Sequence, residues 1–393
     1  MTTRRDFLRT GAAIAGALGG LPRDLLAMPA AAPLVAAPVT RAPAALDILI
    51  LGGTGFTGPE QVEYAIARGH RVTLFNRNRT RPGLFKGTVA EELVGDLNND
   101  TGALAGRRFD VVLDNPTTLP AWVRNAARQL KGNVGHYIFQ STTSVYRDQS
   151  IIGIDENSPL AELPAEVDPY TLDPAMATRY YGALKVRAEQ EVATHYAGHC
   201  TIVRPCLIVG PLDRTDRFTY WPARIDHGGE ILAPDHPDDP CQFIDVRDLA
   251  EFSVRLAEQR AFGTFNVVGP EKPMTISEML YGVKAITATP GHFTWVPWTF
   301  LQEQGIRPWR HMTVWQPPVG ATAGYQRRRA DKAIAQGLTF RSVADTARTT
   351  LAWHRSRPAA EQAATLRGEI NGLDLKREAE VLAAWHARAA ARP

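Results

Sequence analysis

The 393-residue chain is poor in cysteine, with only Cys200, Cys206 and Cys241. None belongs to a CxxC pair and none stands with histidine at metal-ligand spacing, which excludes a zinc module or a disulfide scaffold. The ten histidines show no ligand pairing either. Cys200 and Cys206 flank one expected strand, and a rise of roughly 3.3 Å per residue keeps them apart. They read as buried thiols; a Cys206–Cys241 bridge stays open for an exported protein. Net charge is also scarce. The formal +3 arises in residues 1–45, which hold five arginines (Arg4, Arg5, Arg9, Arg23, Arg41) and two aspartates (Asp6, Asp24). The remainder carries equal numbers of acids and bases, so no nucleic-acid partner is expected. The apolar run Gly11–Leu21 is too short to span a bilayer, so no stable membrane insertion is expected. No internal repeat is visible. A hydrophobic content of 44% and a charged content of 22% are those of a globular protein with a real core.

The first residues read as a targeting segment. Thr3-Arg4-Arg5-Asp6-Phe7-Leu8 precedes the apolar run, and small residues follow. The paired arginines resemble the twin-arginine export signal, an address read by a receptor rather than an anchor. Ala30–Ala45 is Ala/Pro-rich and reads as a processing region and linker, with cleavage expected in Ala30–Ala37. A periplasmic or secreted location follows from that resemblance. The route carries folded proteins, which suits an enzyme loaded with cofactor before export.

Asp47–Leu51 is a short apolar run that fits a strand buried on both faces. It leads into Gly52-Gly53-Thr54-Gly55-Phe56-Thr57-Gly58, then Pro59, a favoured first helical residue. Val62, Ala65 and Ile66 form an apolar helix face, Gly69 ends the helix, and Arg71–Phe75 alternates as a second strand. Glycines in a strand–turn–helix–strand unit indicate dinucleotide binding. One permits the turn, one lets pyrophosphate approach the backbone, and one lets helix and strand pack closely. Gly52, Gly55, Phe56, Thr57 and Gly58 are therefore expected at the cofactor. An acid at the end of the second strand would hold the ribose of NAD; here stand Asn76, Arg77 and Arg79. Arginine suits a 2′-phosphate, so NADP is favoured over NAD. Asp96 follows a third strand and is expected at the adenine edge, and Phe109–Asn115 reads as a fourth strand.

His136–Gln140 is a strand that runs into Ser141-Thr142-Thr143-Ser144. Downstream, Tyr181-Gly182-Ala183-Leu184-Lys185 opens a helix continuing to about Tyr196. Spacing of four puts Tyr181 and Lys185 on one face. A neighbouring ammonium would lower the pKa of the phenol and make it a usable general base.

These motifs, with Val203–Pro211 (VRPCLIVGP) and Gln242–Ala250 (QFIDVRDLA), resemble the extended short-chain dehydrogenase/reductase superfamily, the group named for NAD-dependent epimerases and dehydratases. The resemblance runs from about residue 47 to about 355. It implies an α/β fold: a Rossmann-type doubly wound parallel sheet with a smaller C-terminal substrate domain. It implies that Tyr181 transfers the proton, that Lys185 holds the ribose and tunes Tyr181, and that Thr142 is the catalytic hydroxyl with Ser141 as second choice. It implies domains at 46–211 (completed by 240–270), at 212–239 with 271–330, and C-terminal helices at 331–393. The chain departs from the pattern in three ways. The family's supporting asparagine has no clear match, Thr117 falling near its position. Val203-Arg204-Pro205 replaces the Arg-Tyr-Phe-Asn of sugar-nucleotide epimerases. The acid after the second strand is absent. Redox chemistry survives these differences; a nucleotide-sugar substrate is put in question.

The expected activity is epimerase/dehydratase-type chemistry at a hydroxyl or keto carbon of a small molecule, with a sugar among the options. A plain NADP-dependent reductase and a non-catalytic binding protein are the alternatives. Trp221, Trp295, Trp298, Trp309 and Trp315 read either as a stacking surface for substrate or as core. Asp213, Arg214, Asp216 and Arg217 read either as pocket lining or as a solvated loop. The helical tail packs on the body or on a partner subunit, as in a homodimer.

Overall fold

The computed structural model describes residues 39–115 and 118–390, so the twin-arginine segment and Thr117 lie outside the described residues. Twelve strands are described: β1 Asp47–Leu51, β2 Arg71–Asn76, β3 Glu91–Val94, β4 Phe109–Asp114, β5 Val134–Gln140, β6 Cys200–Pro205, β7 Ile208–Val209, β8 Gly229–Pro234, β9 Pro240–Asp245, β10 Gly263–Val267, β11 Gly269–Thr275 and β12 Gly291–Val296. Seven form one sheet in the order β10-β6-β5-β4-β1-β2-β3. Every pairing in it is parallel.

The period of two along each strand builds the core. Ile48, Ile50, Leu74, Val111, Leu113 and Ile138 meet the helices Gly58–Arg68 and Val246–Gln259 on one face. Leu49, Leu51, Phe75, Val112, Tyr137 and Phe139 meet Pro120–Leu130 and Tyr181–His195 on the other. A strand covered on both sides must be apolar throughout, which is why β1 reads DILIL. The fold is the Rossmann-type doubly wound sheet expected from the sequence. Strand order reverses between β1 and β4, and a crevice opens at their carboxyl ends.

The remaining strands make a three-stranded sheet, β11-β9-β7, and the pair β12-β8. Around them lies a separate apolar cluster that includes Trp221 and Trp315, both fully buried. The tail helix Leu375–Ala390 belongs to this cluster through Val381 and Leu382. Its Glu378 pairs with Arg224 at 2.5 Å and accepts the Leu232 amide at 2.9 Å. The tail packs on the chain's own body through these contacts. The three cysteines are free thiols.

Candidate active site

The glycine turn shows a division of labour. Gly52 has φ 78°, a left-handed backbone that disfavours any side chain. A Cβ on Gly58 would stand 2.5 Å from the Gly52 carbonyl oxygen, so this glycine lets the helix start against the turn. A Cβ on Gly55 would meet nothing nearer than 3.6 Å, so its face of the turn is open to a ligand. Arg81, which the sequence did not single out, donates to the Thr54 oxygen at 2.7 Å and to the Gly55 oxygen. Arg81 thus holds two of the turn's carbonyls, while the Gly52 amide donates to the Phe75 oxygen at 3.0 Å and the Gly55 amide to the Gly52 oxygen at 3.3 Å.

Beside the turn runs a groove of about 250 Å³ lined by Gly52, Gly55, Asn76, Arg77, Arg79 and Asp96. Six expected cofactor residues therefore meet in one place. Thr57 and Gly58 are buried at the helix entrance. Asn76 uses its Oδ1 to accept the Asn78 amide at 2.7 Å and so shapes the bend that carries the arginines. Asp96 accepts the Asn98 amide at 3.0 Å. Trp122 also lines the groove, its indole nitrogen donating to Asn98 at 3.1 Å. Trp122 was missed because it lies on a helix far along the chain and matches no motif. An open Gly55 at the start of a helix and a groove beside it fit a dinucleotide.

The second cavity holds about 190 Å³ and is lined by Phe56, Ser141, Thr142 and Tyr181 among others. Tyr181 is placed by its neighbour: a Cβ on Gly182 would lie 2.1 Å from the Ser144 oxygen, so the helix begins hard against the Ser144 turn. Thr142 caps that turn, its Oγ1 accepting the Ser144 amide at 3.1 Å. Burial raises the pKa of Tyr181, while hydrogen bonding from Thr142 and the charge of Arg217 act the other way. This departs from the expected lowering by Lys185. The Lys185 ammonium is enclosed beneath the strand end, where it donates to the Gln140 carbonyl at 2.6 Å and stands 4.5 Å from the centre of the Phe139 ring. Burial lowers its own pKa to about 8, with Asp114 and Glu189 opposing.

Ser141, the second choice for the catalytic hydroxyl, is committed elsewhere. It donates to Glu189 at 2.5 Å. Glu189 in turn holds Arg204 at 3.0 and 2.6 Å, both side chains being buried. Arg204 reaches the Tyr146 hydroxyl at 3.2 Å, which donates to Asn266 at 2.5 Å. This chain ties β5, β6 and β10 together behind Thr142. Ser141 is a brace, and Thr142, whose hydroxyl also donates to the Ser144 hydroxyl at 3.3 Å, is the one hydrogen-bonded to Tyr181.

The cavity's far wall comes from residues distant in sequence: Arg217, Gln242, Trp309, Tyr325, Gln326 and Arg328. Of the loop left open above, Arg217 reaches this cavity, whereas Arg214 and Asp216 line a different one with Trp353 and Arg357. Asp213 is buried and caps Thr215. Trp221 and Trp315 belong to the apolar cluster, and Trp295, Trp298 and Trp309 pack on it. Trp309 lines the cavity, edge-on to Tyr325 with centroids 5.2 Å apart.

Residues 110–268 match the model of the NAD dependent epimerase/dehydratase family. The matched span carries β4 to β10, with Thr142, Tyr181 and Lys185 inside it. Among solved structures, the fold is similar to UDP-N-acetylglucosamine 4-epimerase from Bacillus cereus, at TM-score 0.56 and 16% identity, covering 80% of this chain and 98% of that one. It is also similar to UDP-glucose-4-epimerase from Stenotrophomonas maltophila with bound NAD and formylated UDP-arabinopyranose, at TM-score 0.56 and 18% identity, covering 79% and 98%. At such identities the likeness is one of fold. A relative in sequence is the chloroplast stem-loop binding protein of 41 kDa b from Arabidopsis thaliana, 26% identical over 261 residues. That alignment takes in 61% of this chain and 60% of the plant protein's length.

Proposed function

We propose that the chain is an NAD(P)-dependent enzyme of the epimerase/dehydratase type, acting on a hydroxyl or keto carbon. The observation that carries this reading is one cavity shared by Tyr181, Thr142 and Phe56 of the glycine turn. Tyr181 holds or releases the proton of the substrate hydroxyl, and Thr142 orients the same oxygen. Lys185 lies one helical turn on; its ammonium, seated on the Gln140 carbonyl, would hold the ribose of a bound cofactor from beneath the strand end. A nicotinamide bound along the groove would supply hydride transfer at the carbon next to that oxygen.

Arg77 and Arg79, exposed beside the groove, support NADP over NAD, with no acid at the end of β2. The paired arginines at the start of the chain support export of the folded, loaded protein. A second reading comes from the plant relative, whose name makes it a stem-loop binding protein. Balanced charge outside residues 1–45 argues against a phosphate-dominated interface. Purified protein decides between them. Nicotinamide retained through dialysis and lost in Gly58→Ala, together with turnover abolished by Tyr181→Phe, supports the enzyme. Retarded migration of an RNA stem-loop, unchanged in Tyr181→Phe, supports the binding protein and ends the enzymatic reading.

A further inference from the structure

Buried arginines in this molecule are met by carboxylates almost everywhere. Arg204 holds Glu189 at 2.6 Å, Arg224 holds Glu378 at 2.5 Å, and Arg357 holds Asp216 at 3.0 Å. A guanidinium taken out of water without such a partner is costly. Arg328 is the exception at the reactive cavity. It is 6% exposed; burial lowers its pKa, and the main opposing influences are Tyr325, Cys206 and Tyr146 rather than a carboxylate. It donates to the Tyr325 carbonyl and to Gln149 at 2.5 Å, and its Nε is buried without a partner. The Tyr325 ring, 4.4 Å from the guanidinium carbon, is the nearest thing to a counter-charge. Arg217 lines the same cavity, and its Nε donates to a neutral hydroxyl, that of Thr215, at 2.7 Å. The lining thus contains two arginines and no aspartate or glutamate.

We infer that the cavity takes a compact hydroxy or oxo compound bearing one oxyanion group, a carboxylate or a monophosphate, held by Arg328 and Arg217. Planar guanidinium groups match such oxygens in paired hydrogen bonds. The volume of about 190 Å³ lies below the roughly 300–1,000 Å³ of pockets for drug-sized ligands. Trp309 and Tyr325 close the far side. A single sugar-sized acid or phosphate fits this space, and the base and ribose of a nucleoside diphosphate sugar do not. With the oxyanion at Arg328, the carbon under attack lies toward Tyr181. That last placement rests on the enzymatic reading above, whereas the anion grip rests on the arginines alone.

The test separates the two. Binding is measured by titration calorimetry on the full chain carrying Tyr181→Phe, so that heat reports association and not turnover. Four probes are compared: gluconate, glucose 6-phosphate, uncharged glucose and UDP-glucose. Gluconate or glucose 6-phosphate is expected to bind at least tenfold more tightly than the other two, and whichever is tighter tells carboxylate from phosphate. Arg328→Gln is expected to remove that preference. Arg217→Gln, on a half-buried loop, is expected to reduce it and serves if the first variant does not fold. Glucose binding as well as the charged probes, UDP-glucose binding tightest, no charged probe binding, or an undiminished preference in the folded variants would each overturn the inference. Wild-type turnover, read apart, tests the enzymatic assignment.

Discussion

Arg204 and Arg328 stand at the two ends of the same short path from the sheet to the cleft, and their surroundings differ. Arg204 lies behind β5, where Glu189, Tyr146 and the Glu156 carbonyl satisfy it. Arg328 lies before the cleft with neutral acceptors and a spare Nε. The difference is between a charge used to build and a charge kept ready. The brace behind β5 is closed, so β5 and the Tyr181–His195 helix are held in fixed relation. The cleft wall retains an uncompensated guanidinium, a form that a folded core tolerates only where something external completes it.

This contrast can be broken or sharpened experimentally. The largest effect belongs to chemistry: Tyr181→Phe should lower kcat by about 10³-fold with KM little changed, a general acid–base contribution that steady-state kinetics will read. Next comes the brace. Arg204→Met leaves Glu189 buried and unpaired, and denaturant unfolding should show a loss of about 3–5 kcal/mol. Arg328→Met removes a charge that has no carboxylate, so its cost should stay below about 2 kcal/mol; equal losses in the two variants would dissolve the comparison. Gly58→Ala forces a Cβ onto the Gly52 oxygen and should cost about 1–3 kcal/mol of stability, along with retained cofactor, followed by melting temperature and absorbance.

Lys185 gives the smallest and most specific signal. Its pKa falls from 10.5 to about 8 in the folded chain, so between those values the unfolded state binds more protons than the native one. The cost of burying this ammonium is therefore full below about pH 8 and is relieved as pH rises through that window, so stability rises with pH there. Lys185→Met should lack the rise. Parallel unfolding curves of the two proteins from pH 7 to pH 10.5 would show that burial does not depress this lysine.

Much of this was legible in the chain. The glycine turn, the strand ends and the Tyr181/Lys185 spacing are local patterns, and local patterns survive into structure because period and turn chemistry dictate them. The roles of Ser141 and Thr142 were not separable, since adjacent hydroxyls look alike until Glu189 is seen to claim one. The lowering of the phenol's pKa by Lys185 was misjudged for a related reason. Helical spacing brings side chains to one face but does not say which neighbour, here the Gln140 carbonyl, draws the ammonium.

The doubly wound sheet and the glycine turn could be read along the chain, because they follow from backbone periodicity and from a glycine, Gly58, whose Cβ would have no room. Only the tertiary structure decided what the cleft is made of. Arg217, Gln242, Trp309, Tyr325 and Arg328 are spread over more than a hundred positions and share no spacing. They become a site through burial and the absence of an acid among them, properties of a surface in space that no order along a chain encodes.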